Sequence, residues 1–148
     1  MKPQTKTETV KVAIRVRPMN SREKKEGNQT VVNADKQENM VTVDKPDGSN
    51  DPKSFAFDYV YPPNSKQRDI YDEVAFPLVE SVFEGYNCTI FAYGQTGCGK
   101  THTMMGDFDN PVERGIVPNA FGHIFGYINS GSNKKFLIRC SYIGNLIY

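Results

Sequence analysis

The chain has 148 residues, with 18 Lys and Arg against 17 Asp and Glu and a formal net charge of +1, which argues against the uniformly basic face of a nucleic-acid binder. Hydrophobic residues at 38% and aromatics at 11% exclude a disordered chain, and the length suits one domain with a core. Charge is unevenly spread: residues 1–27 carry 8 basic and 3 acidic side chains, whereas residues 28–100 carry 6 and 11.

Met1–Glu8 is a polar tail without the basic and apolar blocks of a secretory leader. Val10, Val12, Ile14 and Val16 alternate with polar or small residues up to Pro18, which predicts a half-buried strand. Residues 20–54 are polar and turn-rich. Two β-branched runs there, Thr30–Val32 and Met40–Val43, precede the turn signal Pro46-Asp47-Gly48 and predict a small β-lobe. Phe55, Phe57, Tyr59 and Tyr61 alternate as a strand with a core-facing aromatic side, ended by Pro62-Pro63. Asn64 or Ser65 then caps a helix in which Ile70, Val74, Leu78, Val82 and Tyr86 recur every four residues. Pro77 should bend or interrupt that helix, and Gly85 should stop it.

Cys88–Tyr93 is a continuous apolar run, the mark of a strand buried on both faces. A glycine-rich turn and a helical Lys100–Met105 follow. Gly106–Gly115 reads as an exposed loop, its Asp107, Asp109 and Glu113 solvated rather than gathered on a metal. Phe121, Ile124, Phe125 and Ile128 keep helical spacing, with His123 an ordinary surface residue among them. Lys134–Ile143 is strand-like, with Phe136, Ile138, Cys140 and Tyr142 on one face. This order predicts the α/β class, with helices covering a sheet. No apolar run approaches the ~18–20 residues of a membrane span. Cys88, Cys98 and Cys140 form no CxxC pair and read as free thiols. Together these features predict a cytosolic chain.

Gly94-Gln95-Thr96-Gly97-Cys98-Gly99-Lys100-Thr101 matches GxxxxGK[ST], which arises by chance in a chain this long roughly once in 200 sequences. It follows an apolar run and opens a helix, the setting a phosphate-binding loop requires. Gly97 and Gly99 let successive backbone N–H groups face a phosphate with no side chain in the way. The helix start adds partial positive charge, Lys100 a full charge for the β- and γ-phosphates, and Thr101 a hydroxyl for Mg²⁺. The bland alternative is a glycine-rich turn with a solvated lysine. Cys98 either merely fits the loop or makes it sensitive to oxidation.

The flanks narrow the family. Val12-Ala-Ile-Arg15-Val-Arg17-Pro18, Phe57-Asp58-Tyr59-Val-Tyr61, the run from Gly85 through the loop to Met104, and Gly115-Ile-Val-Pro118 through Phe125 together resemble the kinesin motor domain. The resemblance covers residues 9–143, and the loop and Ile116–Phe125 come nearest the kinesin-2 group. It implies a P-loop NTPase-type mixed sheet with flanking helices and a small β-lobe, incomplete at the C-terminal end. It also implies ATP and Mg²⁺ as cofactors, microtubules and another motor subunit as partners, and a cytoplasmic, cytoskeletal location, with neither nucleic acid nor membrane as a partner. Arg15, Arg17 and Pro18 map to a wall of the family's adenine site, where a guanidinium or a proline ring stacks on a purine. Read without the family, Arg15 and Arg17 are simply solvated edge positions. His102 matches a position near the base in some kinesins; otherwise it is a surface histidine early in a helix.

The expected domain layout is a tail over 1–8, the first half of a motor domain over 9–143, and a divergent end over 144–148. The segments that close over the γ-phosphate and reach Mg²⁺ in the family do not match residues here, nor do most of its microtubule contacts. No catalytic residue is therefore assigned, whether this chain hydrolyses ATP is left open, and the isolated chain is expected to be unstable or self-associating. Two rival readings accompany the motor. One is a truncated product that only binds nucleotide or acts as a regulatory or dominant-negative fragment. The other is an unrelated phosphotransferase, which would need an acceptor lid and a carboxylate base that residues 106–148 do not resemble.

Overall fold

The computed structural model describes residues 10–45, 51–131 and 135–144. The turn expected at Pro46–Gly48, the 1–8 tail, Lys134 and residues 145–148 lie outside them. The alternating start forms a short strand, β1 (Ala13–Arg15), paired in parallel with β5 (Tyr59–Tyr61) in the register Ala13↔Tyr59, Ile14↔Val60, Arg15↔Tyr61. Val16 N–H donates to the Tyr61 carbonyl at 2.9 Å and Val12 N–H to Asp58 Oδ2 at 2.7 Å, fastening both ends. Parallel strands need a crossover rather than a hairpin, and residues 16–58 supply it.

Within that crossover lie α1 (Ser21–Lys25) and the small β-lobe. Asn20 caps α1 through a capping box: its side chain accepts from Glu23 N–H at 2.9 Å, and Glu23 accepts from Asn20 N–H at 2.8 Å. The lobe is an antiparallel sheet of β2 (Val32–Asp35), β3 (Met40–Val43) and β4 (Lys53–Ala56), in that order. Its first strand begins at Val32, where the sequence suggested it would end, because Asp35 Oδ1 takes the N–H groups of Gln37 and Glu38 and sets the turn there. Asn39, with φ of 50°, closes that turn and accepts from Val60 N–H at 3.2 Å, joining the lobe to β5.

The aromatic alternation does not form one core-facing strand. It breaks at Phe57-Asp58 into β4 and β5, which belong to different sheets. Phe55 is 49% exposed whereas Tyr61 is 1% exposed. The pleat therefore buries only the aromatics that face the helices.

The helix begins later than its sequence signals. Ser65 N–H closes a turn on the Pro62 carbonyl at 3.0 Å, so Lys66, which makes no side-chain cap hydrogen bond, becomes the cap of α2 (Gln67–Ile70). Pro77 interrupts the α-helical hydrogen bonding, as expected, without ending the path. A π-helical turn, Tyr71–Ala75, precedes it, with Phe76 N–H bonded to the Tyr71 carbonyl five residues back, and α3 (Phe76–Phe83) continues beyond. The wider turn absorbs the register change that a proline imposes near a helix start. Gly85, with φ of +98°, terminates it.

Two more helices follow, α4 (Lys100–Met104) and α5 (Ile116–Ser130). The core is the buried cluster Tyr61, Ile70, Tyr71, Ala75 and Ile116, with Tyr59, Val74, Ile90, Met104 and Ala120 packed around it. It thus joins β5 and the long helix formed by α2, the π-helical turn and α3 to α5 and to the end of α4.

Cys88–Tyr93 is not a strand buried on both faces. Among the described residues it pairs with no strand; Ile90 packs on the core, while Phe91 and Tyr93 are 88% and 99% exposed. Residues 135–143 are likewise exposed and outside any ladder. Apolar, β-branched composition prepares a segment for a sheet, but the ladder itself needs a neighbour whose N–H and C=O groups lie in register.

Candidate functional site

The loop Gly94–Thr101 stands between the Cys88–Tyr93 run and α4. Gly97 and Gly99 have φ of +80° and +100°, and neither would meet another atom if given a Cβ, so their backbone faces open space. An L-residue pays a steric cost at such angles, and its side chain would stand in that open space. Gly99 caps α4, and its carbonyl accepts from Thr103 N–H at 2.9 Å. Thr96, Gly97, Gly99, Lys100, Thr101 and His102 line a cavity of about 340 Å³. Lys100 Nζ lies over the loop, donating to the carbonyls of Gly94 at 2.8 Å and Gln95 at 2.9 Å. Cys98 closes the loop's turn, its N–H reaching the Gln95 carbonyl at 3.3 Å.

At only five residues, α4 is too short to hold itself. Two tertiary contacts fix it. Arg15, the last residue of β1, donates from Nη1 to Thr103 Oγ1 at 3.0 Å and to Gln67 Oε1 at 2.7 Å. Gln67, 3% exposed, donates from Nε2 to the His102 carbonyl at 2.6 Å and to the Glu113 carbonyl at 3.2 Å. Burial lowers the Arg15 pKa from its ordinary value, and the nearby Glu113 charge opposes that shift.

Of the residues expected around the base, His102 lines the cavity, whereas Arg15, Arg17 and Pro18 do not. Arg15 is tied to α4 from the side. Arg17 is held by both carboxylate oxygens of Glu23 and by the Pro18 carbonyl at 3.1 Å. Its pKa is raised chiefly by the hydrogen bond to Glu23 and by that residue's charge, with Cys98 adding a smaller influence from the loop. Glu23 is held reciprocally at about 2 by the hydrogen bond from Arg17 and the Asn20 N–H. Pro18 is exposed beside them.

His123 is no ordinary surface residue. Its side chain is 18% exposed and bonds Tyr71 Oη through Nδ1 at 2.9 Å and Glu80 through Nε2 at 2.8 Å. It stacks on Phe76 with ring centroids 4.5 Å apart. Periodicity within α5 cannot reveal a partner on another helix, so this bond between α5 and the long helix was invisible to it. Gln67 also escaped the sequence reading, yet it left a signal: counted back from Ile70 and Val74, it is a polar residue on the apolar face of its helix.

Among the described residues no group of His, Cys, Asp and Glu is arranged to hold a metal, and no helix is long and apolar enough to cross a membrane. The family model described as kinesin motor domain matches residues 15–147. The chain is 45% identical over 139 residues to the kinesin-like protein KIF3C of Bos taurus, of Pongo abelii and of Mus musculus. Each alignment covers 93% of this chain and 18% of the relative, so the chain spans about a fifth of the length of the curated relatives it matches.

Proposed function

The chain belongs to the kinesin motor domain family, and we propose that it forms the ATP-binding part of a microtubule motor of the kinesin-2 group, working in the cytoplasm on the cytoskeleton beside another motor subunit. The observation that carries this reading is the Gly94–Thr101 loop. Its positive-φ glycines leave backbone facing open space, and it leads into α4 beside a cavity of about 340 Å³.

The residues present fit a nucleoside triphosphate with Mg²⁺. Gly97 to Thr101 offer main-chain N–H groups to phosphate oxygens. Lys100, released from the Gly94 and Gln95 carbonyls, supplies the charge for the β- and γ-phosphates. Thr101 offers a hydroxyl oxygen, the hard donor that Mg²⁺ prefers. Bound Mg²⁺ would neutralise charge on the transferring phosphoryl group. His102 at the cavity wall would meet the adenine, whereas Arg15, Arg17 and Pro18, which the family resemblance sets beside the base, lie outside that lining and carry no part of the reading. The domain layout that accompanies this reading is a tail over 1–8, motor-domain residues over 9–143 and a divergent end over 144–148.

Titration with a fluorescent ATP analogue tests the reading. Lys100→Ala should abolish binding. Equal binding by wild type and Lys100→Ala would remove the loop from the account. Steady ATP turnover stimulated by microtubules would reject the rival reading of a product that only binds nucleotide.

A further inference from the structure

We propose that Gln67 is the positioning residue of the phosphate loop, holding α4 at the angle from which Lys100 and Thr101 reach the phosphates. The inference rests on the nucleotide reading above and deepens it.

A helix leaves its last carbonyls without intrahelical partners. In α4 the N–H groups of both Met105 and Gly106 go to the Thr101 carbonyl, at 2.8 and 3.3 Å, so the His102 carbonyl is passed over. Gln67 Nε2 supplies the missing donor at 2.6 Å. The same amide nitrogen reaches the Glu113 carbonyl on the far strand of the Gly106–Arg114 bridge, and the amide oxygen accepts from Arg15. One buried carboxamide therefore joins four parts of the molecule: the last residue of β1, the start of α2, the phosphate-loop helix and the loop that follows it.

These bonds use the amide's two donors and one of its acceptor sites. No side chain of another type at that length offers the same set. A carboxylate would face two carbonyls with no proton to give, and a thioether would leave the Arg15 and carbonyl groups unmatched. Gln67 lies outside the cavity lining, so its effect on a ligand passes through α4. The loop geometry is what it controls, and the base is not. Its loss should accordingly weaken ATP and bare polyphosphate alike.

The test uses the full-length protein carrying Gln67→Met or Gln67→Glu. The affinity for a fluorescent ATP analogue is measured directly, and that for inorganic tripolyphosphate by displacement. Both variants should bind both probes at least tenfold more weakly, with far-ultraviolet circular dichroism unchanged. A lowered melting temperature with affinities within twofold of wild type would overturn the proposal and leave Gln67 a purely structural residue. Should Gln67→Met not fold, Gln67→Glu decides, since it keeps the size and the Arg15 contact.

A measurement on the unmodified protein stands beside the variants. Coupling between sites is reciprocal, so ATP should slow backbone hydrogen exchange in a peptide spanning residues 64–71, which contributes nothing to the cavity wall. Unchanged exchange there also overturns the proposal. Lys100→Ala, run in parallel, separates the two claims. If that variant binds as wild type, the nucleotide reading fails; if it loses binding while the Gln67 variants keep theirs, only the positioning role fails.

Discussion

Gly106→Ala should be among the most damaging single-methyl changes in the chain. Gly106 has φ of +64°, and a Cβ there would sit 2.0 Å from the Glu113 carbonyl oxygen, 2.5 Å from Gly115 N and 2.7 Å from Gln67 Nε2. None of these can yield cheaply. The Glu113 oxygen already accepts from Asp107 N–H and Gln67, and Gly115 N–H is committed to the Met105 carbonyl at 2.9 Å. The left-handed backbone alone costs an L-residue about 1–2 kcal/mol. Forcing a methyl into a filled space adds about 1–3 kcal/mol, giving a loss of about 2–5 kcal/mol. Gly27→Ala is the internal control, because its φ of +73° is similar and nothing lies within 4 Å of the added Cβ. It should lose only the conformational part, about 1–2 kcal/mol. Urea denaturation followed by circular dichroism gives both values, and their difference isolates the close approach. Losses equal to within about 0.5 kcal/mol, the scatter of ordinary surface changes, would refute the packing argument.

Other outcomes follow from the same contacts. Asn20→Ala removes the cap of α1 and should cost about 1 kcal/mol in the same denaturation series. The Glu23 carboxyl is held at about 2 against an ordinary 4.5, so its contribution is fully present above pH 4.5 and lost as pH falls from there towards 2. Glu23→Gln should flatten that part of the stability-versus-pH curve, and an unchanged acid limb would count against the Arg17–Glu23 pair. Tyr71→Phe removes the 2.9 Å bond to His123 and should cost about 1–3 kcal/mol, the penalty for stranding a part-buried polar atom. Tyr61→Phe strips Glu73 of the donor at 2.9 Å and should weaken stability by a similar amount. It should also raise the Glu73 pKa: burial already pushes that carboxyl up, and the hydrogen bonds from Lys36 and Tyr61 are what leave it below its ordinary value. Titration of Glu73 by NMR reads that change.

What the sequence by itself determined is the chemistry that lives in consecutive residues. The Gly94–Thr101 loop, the helix that Lys100 opens, the Gly85 stop, the small β-lobe and the α/β class are all legible because glycine placement, capping and periodicity act within a few positions along the chain. Tertiary structure decided whatever needs a partner from elsewhere. Cys88–Tyr93 has the composition of a central strand, yet only a neighbouring ladder makes it one, and Phe55 alternates with its neighbours yet faces outward because β4 and β5 part at Phe57-Asp58. His123 gained its role from Tyr71 and Glu80, which stand 52 and 43 residues away in sequence. Gln67 gained its own from Arg15, His102 and Glu113, at separations of 52, 35 and 46 residues. A buried polar side chain must find its hydrogen-bond partners in space, and no spacing rule along the chain records where they are.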